Sequence, residues 1–137
     1  MLRLMIVDDE VRIADSIYDL MQERFDLELY RCYSALDALE IIRTMRFDIV
    51  ITDISMPGMN GVEASRAILQ IRPETRILIY TGHEDQRHLL ELIQLGIMGH
   101  VCKSDPPSVL LQAIDAVRQG EVFLSCEIGR ASCRERV

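Results

Sequence analysis

The sequence predicts a doubly wound α/β domain: a parallel five-stranded sheet of order 2-1-3-4-5 with helices on both faces. Three observations carry that prediction. Five short apolar runs alternate with stretches of helical length along the chain. The runs are apolar on consecutive residues, as strands covered on both faces require. Right-handed crossovers between such units leave the first and third strands side by side at a switch point.

The first strand covers residues 3–8, with Leu4, Met5, Ile6 and Val7 in succession. A helix near 10–24 follows and places Val11, Ala14, Ile17, Tyr18 and Met21 on one stripe. Further strands are predicted at 27–33, 48–53, 76–81 and 99–102. Helices fill the gaps at Ala35–Met45, Val62–Ile71, Asp85–Leu95 and Pro107–Gln119. Gly96 and Gly120 stand where helices should stop, and Pro107 suits a first helical turn.

Charged and polar residues gather at the carboxyl ends of these strands, where open parallel sheets bind ligands. Asp53 ends the run Asp48-Ile49-Val50-Ile51-Thr52 and precedes the turn Met56-Pro57-Gly58-Met59-Asn60-Gly61. Asp8, Asp9 and Glu10 end the first strand, Thr81 and Gly82 the fourth, and Lys103 the fifth. Convergent carboxylates are tolerated when a hard divalent cation offsets their repulsion, and magnesium is the expected ion. Two plainer roles stay open: Asp8-Asp9-Glu10 as a helix cap and Asp53 as a turn residue.

Taken together, Val7-Asp8-Asp9-Glu10, the Asp53 strand end, Met56-Pro57-Gly58-Met59-Asn60-Gly61, Thr81-Gly82 and Lys103 resemble, in order and spacing, the phosphoacceptor receiver domains of two-component response regulators. The resemblance covers residues 1 to about 125 and implies a flavodoxin-like, CheY-like fold. It implies that Asp53 accepts a phosphoryl group from a sensor histidine kinase. By the same likeness Asp9 and Asp53 are side-chain ligands of magnesium, Asp8 acts through a metal-bound water, and Ser55 offers its backbone carbonyl. Lys103 corresponds to the lysine that pairs with the aspartate and then with a phosphoryl oxygen, and Thr81 to the switch hydroxyl. Glu10 is expected to cap the first helix.

Two positions depart from the commonest pattern of that family. His100 stands where the switch partner is usually phenylalanine or tyrosine. An imidazole titrating near neutral pH would make the switch pH-sensitive, and the alternative is a partly exposed histidine on an edge strand. Ser104 follows the lysine where many relatives carry a cis proline, so no cis bond is expected there. The resemblance also implies that Ser55 and His83 occupy the two variable positions that flank the path of the attacking water in that family. Neither is acidic or amide-bearing, which predicts a long-lived phosphoryl group.

Composition agrees with one compact domain. The chain has 137 residues, 49% of them hydrophobic, enough for a layered core. No apolar run reaches the roughly 18 residues of a membrane span and no charged-then-apolar leader is present, so a cytoplasmic protein with no membrane partner is expected. Cys32, Cys102, Cys126 and Cys133 lack zinc spacing and are expected to be free thiols. The receiver is expected to occupy residues 1–125, and 126–137 to be a linker stub and a tail resembling translated vector. Residues 129–137 carry three arginines against Glu135, net +2, so a formal net charge of −7 leaves −9 for the rest. Such an acidic body repels nucleic-acid phosphates.

Residues 94–100 and 114–125 resemble regulators with a LuxR-type (NarL-like) helix-turn-helix output. That likeness implies DNA binding only through a carboxyl-terminal module missing from this chain, and a phosphorylation-dependent homodimer. The expected function is therefore a signalling switch that catalyses only its own phosphorylation and dephosphorylation. Two other classes share the fold: a magnesium-dependent phosphoaspartate hydrolase and a non-phosphorylated interaction module. Ser55, two residues after Asp53 where a hydrolase would carry a second aspartate, opposes the first. Intact Asp8, Asp9, Asp53, Thr81 and Lys103 oppose the second.

Overall fold

A computed structural model of the chain describes residues 1–24, 26–82 and 88–125. Strands β1 (Leu2–Val7), β2 (Leu27–Cys32), β3 (Ile49–Thr52), β4 (Arg76–Thr81) and β5 (Gly99–Cys102) alternate with helices α1 (Val11–Met21), α2 (Ala35–Thr44), α3 (Gly61–Ile71), α4 (Leu89–Leu95) and α5 (Pro107–Arg118). A sixth strand, β6 (Phe123–Leu124), extends the predicted order to β2-β1-β3-β4-β5-β6. Every strand pair is parallel. The predicted residues 85–87 of the fourth helix lie outside the described residues.

Successive strand residues point to opposite faces, so an unbroken apolar strand feeds two cores. On one face Met5, Val7, Val50, Ile77 and Ile79 pack under α2, α3 and α4. On the other Leu4, Ile6, Ile49, Ile51, Leu78 and Val101 pack under α1 and α5. Ala14, Ile17 and Met21 are the buried residues of α1, so the predicted stripe of that helix is its core side, while Val11 is about half exposed.

The helix ends follow local chemistry. Asn60 and Glu63 form a reciprocal capping box at the start of α3, which satisfies two otherwise open donors. Gly96 ends α4 with φ of 100°, a left-handed conformation that a residue with a Cβ adopts only at a cost. Pro107 opens α5 as expected, and no peptide bond among the described residues is cis, that after Lys103 included. Glu10 takes the N-cap position of α1, but its side chain makes no capping bond, contrary to expectation. That carboxylate is turned instead to Lys103 Nζ, 3.4 Å away, where a full positive charge outcompetes backbone N–H groups.

The cysteines correct another expectation. Cys32 is a free thiol, buried, and burial pushes its pKa up to about 11. Cys102, by contrast, is disulfide-bonded. Pairing depends on a through-space approach of two Cβ atoms, which separation along the chain does not encode. Cys126 and Cys133 lie outside the described residues.

Candidate phosphoacceptor site

The parallel register of β1 on β3 sets Val7 beside Thr52, so the chain leaves both strands at the same edge of the sheet. Asp8 and Asp53 are each the first residue past those partners, and both are buried, at 2% and 4% exposure. Pairing of β4 with β5 sets Thr81 beside Cys102 and delivers Lys103 to the same edge. The Lys103 amide donates to the Thr81 carbonyl at 2.8 Å, which holds the two strand ends together beyond the last paired residues.

The Asp53 carboxylate is held on both sides. Its Oδ1 accepts from the Thr81 hydroxyl at 2.6 Å and from the backbone amides of Ile54 at 2.7 Å and Ser55 at 3.3 Å. Its Oδ2 accepts from Lys103 Nζ at 2.6 Å. The same ammonium lies 3.1 Å from Asp8 Oδ2. Asp8 Oδ1 in turn accepts from the Glu10 amide at 2.9 Å. One lysine thus bridges the carboxylates of two neighbouring strands.

Burial and charge act in opposite directions at these groups. Burial raises the pKa of Asp8 above the usual carboxylate value, and the Glu10 amide and the Lys103 charge only partly oppose it. For Lys103 burial acts to lower the pKa, but the hydrogen bond to Asp53 and the charges of Asp8 and Asp53 outweigh it, so the ammonium is raised above its ordinary value. The lysine therefore stays charged.

Asp8, Glu10 and Asp53 can each offer one oxygen, all lying within 4.8 Å of one another. Asp9, the predicted side-chain ligand, is half-buried and is not one of that trio; Glu10, expected only to cap, is. Ser55 is exposed beside Asp53. An all-oxygen, anionic donor set of this kind fits a hard divalent cation. His83 lies outside the described residues.

His100 also departs from expectation. The residue is fully buried rather than partly exposed, because β6 pairs along β5 and takes over the sheet edge. Burial pushes its pKa down to about 4, so the imidazole is neutral across the physiological range and does not titrate near pH 7. The residues that pair along β5, Phe123 and Leu124, form with Val122 an apolar run after Gly120 in the sequence. That run was the one available sign of a sixth strand.

The chain belongs to the response regulator receiver domain family, whose pattern matches residues 4–115. It is similar to a LuxR-family two-component response regulator from Aurantimonas sp. SI85-9A1, with 33% identity and a TM-score of 0.88 over 98% of this chain and 96% of that one. Among curated relatives, the response regulator GacA of Pseudomonas aeruginosa is 27% identical over 95% of this chain and 61% of its own length. The oxygen regulatory protein NreC of Staphylococcus epidermidis is 28% identical over 99% of this chain and 63% of its own. The chain therefore spans less than two thirds of the length of these relatives. The isolated receiver domain of RcsB from Salmonella enterica, at 22% identity and a TM-score of 0.84 over 94% of this chain and 96% of that one, shares the fold.

Proposed function

We propose that this domain is a phosphorylation-controlled switch in which Asp53 accepts a phosphoryl group from a sensor histidine kinase. One observation carries the reading: a buried carboxylate held between an ammonium on one oxygen and a hydroxyl on the other, at the switch point of a doubly wound sheet. Phosphoryl transfer asks a protein mainly for alignment and charge neutralisation. The Ile54 and Ser55 amides and Thr81 fix the orientation of the Asp53 carboxylate. A carboxylate oxygen attacks phosphorus, the bond from phosphorus to the donor nitrogen breaks, and its electron pair returns to the imidazole of the kinase. Lys103 then faces one of the new phosphoryl oxygens, and Thr81 another.

Magnesium fits the acidic edge. Asp8, Glu10 and Asp53 would each offer it an oxygen, and Asp9 and the Ser55 carbonyl complete the proposed set. When bound, the ion supplies positive charge to the transferring phosphoryl group. The hydrolase reading loses support from Ser55, which offers no carboxylate to drive turnover.

Residues 1–125 constitute the receiver in this reading, and 126–137 a linker stub and vector-like tail. The output is a LuxR-type DNA-binding module outside this chain, as the partial coverage of the curated relatives supports. RcsB dimers have been solved bound to two parallel DNAs, which supports a homodimer here; its dependence on phosphorylation belongs to the proposed switch. Among the described residues no helix is long and apolar enough to cross a membrane, in keeping with a cytoplasmic regulator. Treatment with acetyl phosphate and magnesium followed by intact mass measurement tests the assignment: one phosphoryl adduct is expected, and none in Asp53→Ala. An undiminished adduct in that variant removes Asp53 from the reaction.

A further inference from the structure

The sheet does not end at β5. Phe123 and Leu124 pair in parallel with Gly99 and His100, and the Phe123 amide donates to the Met98 carbonyl at 2.9 Å. One residue further, Ser125 is held twice. Its amide donates to the His100 carbonyl at 2.8 Å, and its hydroxyl lies 2.9 Å from Asp105 Oδ2 and 3.1 Å from the same carbonyl. A hydroxyl has one proton, so these two acceptors share it. Ser125 is 5% exposed, an unusual burial for a serine at the end of a two-residue strand.

These contacts join the exit of the domain to the phosphoacceptor pocket. Asp105 lies in the turn after Lys103, its amide bonded to the Cys102 carbonyl at 3.0 Å. Lys103 reaches Asp53 through its side chain and Thr81 through its backbone. His100, whose carbonyl accepts the Ser125 amide, pairs with Ile79 of β4, two residues before Thr81. We propose that residues 121–125 are a reversible latch, fastened on β5 by Ser125 against Asp105 and His100, through which the state of Asp53 is passed to the chain that follows.

The direction of the effect follows from the acceptors. Asp53 Oδ1 already accepts from two backbone amides, so Thr81 now shares that oxygen. A phosphoryl oxygen offers the hydroxyl a charged acceptor of its own, which strengthens the bond and stiffens the ends of β4 and β5. The latch on β5 should then open less often. Ser125 is a positioning residue in this scheme and touches no reacting atom.

Because the latch rests on the receiver reading, its test separates the two. Amide hydrogen exchange at Phe123 and Ser125 is measured under reducing conditions, so that the Cys102 disulfide plays no part, with and without magnesium and a beryllofluoride mimic of the phosphoryl group. In the unaltered chain the mimic should slow both amides by about fivefold, the equivalent of one net hydrogen bond. Ser125→Ala should speed exchange in both states and reduce the response to the mimic, Ser125→Thr should restore it, and labelling of Asp53 by acetyl phosphate should be unchanged in each. Equal exchange with and without the mimic, when fluorine resonances show it bound, overturns the latch and leaves the receiver reading intact. Failure of the mimic to bind, together with no adduct from acetyl phosphate, overturns both.

Discussion

Gly61 packs its α-carbon against the backbone of Asp53. A Cβ at Gly61 would overlap the Asp53 carbonyl oxygen and lie 2.7 Å from Ile54 Cα, while the Gly61 amide donates to the Ile54 carbonyl at 2.7 Å. The first turn of α3 is thereby seated directly on the strand end that presents the acceptor carboxylate. Backbone on both sides leaves no flexible atom to yield. In an ordinary helix Gly→Ala is stabilising by up to about 1 kcal/mol, but here the overlap should reverse the sign. Gly61→Ala is expected to cost about 1–3 kcal/mol in urea unfolding and to slow labelling of Asp53. A variant as stable as the parent would show that α3 can slide away from Asp53.

Burial of His100 predicts a pH effect on stability. Its folded pKa, about 4, lies below the ordinary 6.5, so the unfolded chain binds the proton more readily. The stability linked to neutral His100 is complete above pH 6.5 and is lost as the pH falls through 4. The loss can reach about 3 kcal/mol at the acid end of that window. His100→Phe keeps a planar aromatic ring at the site and removes the titration, so its unfolding free energy should decline less over the same range. Parallel pH profiles for the two proteins would contradict the assignment.

The lifetime of the phosphoryl group depends on who can orient water beside it. Ser55 is exposed next to Asp53 and contributes its amide, not a carboxylate or carboxamide, to the acceptor. Ser55→Asn supplies a carboxamide there and is expected to hasten loss of the phosphoryl group severalfold. Decay of the adduct, followed by intact mass after removal of acetyl phosphate, measures it. No change in the decay constant would leave water positioning to other residues.

Association should strengthen on phosphorylation, by a coupling of about 1–3 kcal/mol, or roughly 5- to 150-fold. Two faces are open to it, one of α4, β5 and α5 and one of α1 and α5. β6 covers the backbone edge of β5, which favours the second. Sedimentation with the beryllofluoride mimic should therefore show a dimer weakened by Leu20→Glu on α1, and not by Leu90→Glu on α4, although both leucines are exposed. The reverse pattern would move the interface to the α4 face, and identical association with and without bound mimic would remove dimerisation from the switch.

The sequence by itself determined the strand and helix alternation, the strand order and the meeting of Asp8, Asp53, Thr81 and Lys103. Each rests on local periodicity combined with one rule of handedness, so residues at equivalent strand ends must share an edge. Tertiary structure alone decided the rest. Whether Glu10 caps α1 or turns to Lys103 is a competition between a neighbouring backbone and a charge 93 residues away, and only packing brings that charge near. The burial of His100, and with it the fall of its pKa, depends on β6 docking beside β5, a contact that Val122-Phe123-Leu124 hints at but whose partner strand no local pattern names. The disulfide state of Cys102 and the close seat of Gly61 on Asp53 are likewise through-space approaches, and periodicity carries no information about them.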